Sequence, residues 1–156
     1  MGCNPYDCPA VARILNLKRR SPDKGLIVVG ASLDQLSPLL DLTADLPMDE
    51  ISRSWPGPVT WILPANPAVP AWIRGNSGGI AVRVPAYPLV RQLCQYAGIL
   101  VSTSANPEGC TPARDALRVR AYFQDRLDYI LCGPTGGLGS PTQIRDARSG
   151  AVIRPA

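Results

Sequence analysis

Histidine is absent from this 156-residue chain. That excludes Ser-His-Asp and Cys-His catalysis and any imidazole-ligated metal. Lysine is scarce: of 16 basic residues only Lys18 and Lys24 are lysine, set against 12 acidic residues. The five cysteines form no Cys-x-x-Cys pair, which argues against a structural zinc site. Cys94 and Cys132 lie in apolar stretches and are expected as buried free thiols. No apolar run approaches the ~20 residues that span a bilayer. Met1 to Cys8 has neither the charged nor the apolar region of a signal peptide. The chain is therefore expected to be soluble and cytoplasmic, with no membrane partner. Neither Gly-x-x-x-x-Gly-Lys-Ser/Thr nor a Gly-x-Gly-x-x-Gly after the first strand occurs. No close pair of carboxylates suits glycoside hydrolysis.

What is present is an ordinary globular balance, 46% hydrophobic and 18% charged, with a formal net charge of +4. The length predicts one domain over residues 1–156, enough to bury roughly 70% of the unfolded surface. The patterning predicts alternating helices and strands. Pro9 opens a helix whose apolar stripe, Val11, Ile14 and Leu15, is continued by Lys18. Leu26–Val29 reads as a buried strand, and Ser32 with Gln35 caps a helix over 33–40. A helical turn or two is expected over 48–55, stopped by Trp55-Pro-Gly-Pro58. Strands follow over 59–63 and 79–85, separated by a Pro- and Gly-rich loop anchored by Trp72 and Ile73. A helix over 88–97, with Leu89, Val90, Leu93 and Cys94 inward, leads into the strand Ile99-Leu-Val101. A helix from Thr111-Pro112 to Phe123, a strand over 129–132 and a hairpin over 142–153 complete the pattern. The result is an α/β fold.

Two features carry chemistry. Ile99-Leu-Val ends in Ser102, Thr103, Ser104 and Asn106, and small polar groups beyond the carboxyl end of a strand are where open α/β sheets place ligand contacts. Arg83 stands between Val82 and Val84, so it points to the face opposite theirs, where a two-sided sheet would demand an anion. Lys18 and Arg20 add positive charge at the end of the first helix. Together these predict an electrostatic site: Lys18, Arg20 and Arg83 for negative charge, Ser104 and Asn106 for orientation. Catalysis there would rest on positioning and charge stabilisation, without a covalent intermediate.

Lys18-Arg-Arg20, Trp55-Pro-Gly-Pro-Val-Thr60, Ala81-Val-Arg-Val-Pro85 and Ser102-Thr-Ser-Ala-Asn106 occur in this order, followed by Pro141-Thr-Gln-Ile-Arg-Asp146 and Val152-Ile-Arg154. The chain thereby resembles the YrdC/TsaC family of threonylcarbamoyl-AMP synthases, in its single-domain branch. The resemblance implies a twisted mixed β-sheet flanked by helices, with a basic concave face. It implies an enzyme that joins L-threonine, bicarbonate and ATP into threonylcarbamoyladenylate and pyrophosphate, for the threonylcarbamoyladenosine of tRNAs reading ANN codons. Carried over, Lys18 and Arg20 contact phosphate and the reactive carboxylate. Ser104 and Asn106 bind nucleotide and threonine, Arg83 faces the ligand cavity, and Thr60 and Ser102 lie near the pocket. Magnesium would accompany ATP without a nameable protein ligand. tRNA or double-stranded RNA and other proteins of the same tRNA-modification pathway are the implied partners. Family members also carry a segment ahead of the position of Gly2, with a Pro-Thr-Glu stretch that helps bind threonine and nucleotide. Without it, this form is expected to be weakly active or inactive. The competing readings are a non-catalytic RNA-binding module and a carbamoyl-adenylate domain of hydrogenase maturation factors.

Overall fold

The computed structural model describes residues 1–156. In chain order its elements are α1 (Cys8–Lys18), β1 (Ile27–Val29), α2 (Leu33–Leu36), α3 (Met48–Ser54), β2 (Val59–Pro64), α4 (Ala71–Arg74), β3 (Gly79–Arg83), α5 (Pro88–Ala97), β4 (Leu100–Ser102), α6 (Ala116–Phe123), β5 (Gln143–Asp146) and β6 (Val152–Arg154). Six strands form one mixed sheet in the order β4-β1-β3-β2-β5-β6. β1 runs parallel to β3 and β2 to β5; the other three pairings are antiparallel.

Residues that face each other across adjacent strands share a face of the sheet. The registers Val28↔Val82, Val28↔Val101 and Trp61↔Val82 gather those side chains on one side. There they join Leu63, Ile80 and Val84 and the apolar stripes of the helices, including Val11, Ile14, Leu15, Leu36 and Ile51, in a single buried core. The opposite face follows from Val29↔Arg83, Thr60↔Ile144 and Ile144↔Arg154. Trp61↔Val82 in an antiparallel pair sets Thr60 across from Arg83. One alternation thus builds a mainly apolar face, with Arg145 over Trp61, and a face that carries Thr60, Arg83 and Arg154.

The Trp55-Pro-Gly-Pro58 turn, whose Trp55–Pro56 bond is cis, is tied to both neighbours. Trp55 Nε1 donates to Val59 O at 2.7 Å, Trp61 Nε1 to Ser54 Oγ at 2.9 Å, and Gly57 N to Val84 O at 2.9 Å. A Cβ on Gly57 would lie 2.2 Å from Ser54 O, so only glycine fits.

Several expectations need correction. Residues 129–132 form no strand: Tyr129, Leu131 and Cys132 are exposed, and Cys132 is not a buried thiol, whereas Cys94 is fully buried. The run pairs with neither edge strand of the sheet, β4 or β6. The helix expected over 33–40 is α2 followed by a 3₁₀ turn, Ser37–Leu39, because Pro38 cannot continue the α-helical ladder. In α5 only Cys94 is fully buried, and Leu93 is exposed. The sixth helix starts later than Thr111, where Asp115 accepts from Arg118 N at 2.7 Å as its N-cap. Within the loop over 64–79, α4 forms a single turn around the expected anchors, with Ile73 buried and Trp72 donating to Pro5 O at 3.2 Å.

Candidate active site built on unpaired arginines

Why Lys18 and Arg20, rather than their neighbour, meet the rest of the site is a matter of helix termination. Arg19 closes α1 in the left-handed region at φ 55°, with its N–H on Asn16 O and Leu15 O. Such a residue is usually glycine, and placing arginine there costs about 1 kcal/mol. The reversal leaves Arg19 exposed, while Lys18 is buried and Arg20 half-buried. Arg20 Nη2 donates to Gly25 O at 3.0 Å, whereas its Nε is buried without a partner.

β4 delivers the second part. Beyond Ser102 the chain leaves the sheet, and Lys18 Nζ reaches it there. It donates to Ser104 O at 2.7 Å and Asn106 O at 2.8 Å, with Ser104 Oγ and Asn106 Oδ1 each at 3.3 Å. Asn106 Nδ2 donates to Cys110 O at 2.6 Å, so the turn is braced from within. Glu108 N donates to Lys18 O at 2.8 Å, and its carboxylate meets Lys24 at 2.8 Å.

The third part is the arginine face of the sheet. Arg83 Nε is buried with no partner, and so is Thr60 Oγ1, whose residue is completely inaccessible. Arg154 donates through Nε and Nη2 to Thr142 O, at 3.2 and 2.7 Å. Burial, and then the nearby Arg154 guanidinium, push the pKa of Arg83 down. Burial and Arg20 do the same to Arg154. Burial lowers Lys18 as well, Arg20 adds to the effect, and Glu108 opposes it. Arg154 thus stands within electrostatic reach of both Arg83 and Arg20, and none of the three joins an ion pair. The three pairs in the protein are Arg13–Asp128, Lys24–Glu108 and Arg145–Glu50. The protein supplies no anion for Arg83.

Like charges brought together in partial burial are unfavourable unless an anion completes the set. Three guanidiniums with hydroxyl and amide groups nearby suit a ligand with several negative oxygens, because arginine meets phosphate and carboxylate bidentately. Lys18, Ser104 and Asn106 touch directly, and Arg20 couples electrostatically to both Lys18 and Arg154. Thr60 lies across the ladder from Arg83. Ser102 pairs with Ile27 at the far edge of the same face and makes no side-chain hydrogen bond to the cluster. Arg154 is the residue that sequence reasoning left out of the site. Its signal was an arginine next to Ile153 in the last strand, as Arg83 stands next to Val82 in β3.

A family model described as Telomere recombination, Sua5/YciO/YrdC, matches residues 1–156. The chain belongs to the Sua5/YciO/YrdC family. It is 49% identical over 156 residues to threonylcarbamoyl-AMP synthase of Pseudomonas aeruginosa, covering 100% of this chain and 84% of that protein. Among solved structures it resembles P. abyssi Sua5 complexed with L-threonine, with a TM-score of 0.88 and 30% identity. That match covers 99% of this chain but 46% of the Sua5 chain, so it spans less than half of that chain. E. coli YciO aligns with a TM-score of 0.81 and 25% identity, over 98% of this chain and 76% of YciO. The α/β mixed sheet expected from the sequence is the fold of this family. No helix is long and apolar enough to cross a membrane.

Proposed function

We propose that the chain is an enzyme of threonylcarbamoyl-AMP synthesis: L-threonine, bicarbonate and ATP yield L-threonylcarbamoyladenylate, pyrophosphate and water. The family and the threonylcarbamoyl-AMP synthase of P. aeruginosa support the reaction. The observation that carries it to particular residues is the half-buried Arg83, with Arg154 and Arg20 close by and no protein carboxylate to meet it.

In this reading Arg20, Arg83 and Arg154 hold the phosphates and the carbamate oxygens and stabilise charge as the carbamate attacks the α-phosphorus. Charge stabilisation by fixed donors is the largest contribution available to a site without a nucleophile–base pair. Ser104 and Asn106 orient the nucleotide and threonine, Lys18 supports them, and Thr60 and Ser102 line the pocket. Magnesium would accompany the ATP phosphates, which would supply its oxygen ligands. The product would serve tRNA modification in the cytoplasm, with tRNA or double-stranded RNA and further pathway proteins as partners. Pyrophosphate release that requires ATP, threonine and bicarbonate together, and that collapses in Arg83→Gln, is the expected result. Release that is independent of threonine would overturn the proposal.

A further inference from the structure

Lys18 occupies an unusual position for a phosphate-binding cation. An ammonium has three N–H bonds. Two are committed to main-chain carbonyls, Ser104 O at 2.7 Å and Asn106 O at 2.8 Å. The third falls between Ser104 Oγ and Asn106 Oδ1, both at 3.3 Å. Every donor is thus directed at one turn of the protein, and the residue is 5% exposed. The backbone of Lys18 takes part as well, because its carbonyl accepts from Glu108 N at 2.8 Å. Ala113 N to Ala105 O at 3.0 Å and Asn106 Nδ2 to Cys110 O close the rest of the turn.

We infer that Lys18 is a positioning residue: it pins the 104–106 turn to the end of α1 and so sets Ser104 Oγ and the Asn106 amide against the arginine face, while the arginines alone meet the ligand's charge. The inference rests on the reaction proposed above for its activity readouts, but the pin itself is made wholly by the chain's own atoms. Two independent features support it. The turn belongs to no helix or strand, so no ladder holds its backbone. Carbonyl oxygens also solvate the cation where water is excluded, which explains how a buried lysine beside Arg20 is kept. Glu108 and Lys24, both about half exposed, bridge the same two segments at the surface, where an ion pair contributes little.

The test combines Lys18→Met, Lys18→Arg and Arg83→Gln. In Lys18→Met without ligand, amide exchange over residues 104–110 should quicken by about tenfold or more, while the core strands keep their protection. Its kcat should fall strongly, while the KM for ATP, set mainly by the arginines, should rise less than in Arg83→Gln. Arg83→Gln should weaken ATP binding as well as slow turnover, without loosening the turn. Lys18→Arg keeps the charge but replaces three tetrahedrally splayed donors with a longer, planar fork, so it should restore turnover only in part. Unchanged exchange in Lys18→Met, or full recovery of turnover in Lys18→Arg, would overturn the inference. Should Lys18→Met fail to fold, exchange and turnover in Lys18→Arg decide the matter. If the parent protein releases no pyrophosphate, the proposed reaction fails while the exchange measurement still decides the pin.

Discussion

The two faces of the central sheet come from the same strands, yet they obey opposite rules. On one, Val28, Trp61, Leu63, Ile80, Val82 and Val101 are buried against the helices, and the indole N–H of Trp61 is satisfied by Ser54. On the other, one residue away along each strand, stand Thr60, Arg83 and Arg154, two of them with buried polar atoms that find no partner. Folding pressure explains the apolar side chains of the first face, where Arg145, standing over Trp61, also has a buried Nε without a partner. It would not gather the guanidiniums of the second, because like charges in partial burial without a protein anion cost stability. Such departures from the folding rules are expected where a protein does its work.

Substitutions on the two faces should therefore separate stability from activity. Trp61→Ala removes a fully buried ring that also stacks beneath Arg145, 4.7 Å from its centroid. It should cost about 3–5 kcal/mol of stability, read by urea unfolding. A loss below about 1 kcal/mol would show that this face is not the core. Arg83→Gln should leave unfolding nearly unchanged while slowing pyrophosphate release by about a hundredfold or more. Comparable destabilisation with intact turnover would make Arg83 structural. Gly57→Ala forces a Cβ onto Ser54 O and should lose about 1–3 kcal/mol, with calorimetry as the check. Thr60→Val replaces the unpartnered hydroxyl with a methyl group of similar size. It should raise the melting temperature slightly, the equivalent of about 1 kcal/mol, while weakening ligand binding. A fall in melting temperature would mean that the hydroxyl has a partner in the folded protein.

The smallest effect concerns the β5–β6 turn. Asp146 accepts from Ser149 N and Arg148 N at 2.9 Å each, and these bonds, that to Ser149 foremost, hold its carboxyl below the usual range. A depressed carboxylate stabilises the fold above its unfolded pKa, and the contribution fades as pH falls through the folded value. Loosening of residues 146–151 should thus appear only below about pH 4, and Asp146→Asn should remove that dependence. Proton-linked exchange of those amides checks it.

How much of this was legible in the sequence depended on whether a signal was local. Strands β1 to β4 announce themselves as short β-branched runs bounded by glycine and proline. Arg83 was conspicuous because an arginine between two valines has only one face to occupy. The run over 129–132 carried the same local signal and failed, since a strand exists only where the chain's path lays it against a neighbour, and this run joins neither β4 nor β6. Arg154 was missed for the complementary reason: its place in the site comes from the Ile144↔Arg154 register, which links β6 through β5 to Thr60. The engagement of Lys18 with two backbone carbonyls across a separation of more than eighty residues lay equally outside local reading.

The central claim is that the arginine face is completed by a multiply charged ligand. ATP titration followed by thermal unfolding, for the parent protein and Arg83→Gln in parallel, tests it most directly. At a ligand concentration about 100 times Kd the parent should gain about 2.7 kcal/mol of stability, and this gain should shrink as salt is raised. Arg83→Gln should gain little. An equal, salt-insensitive shift in both proteins would contradict the account.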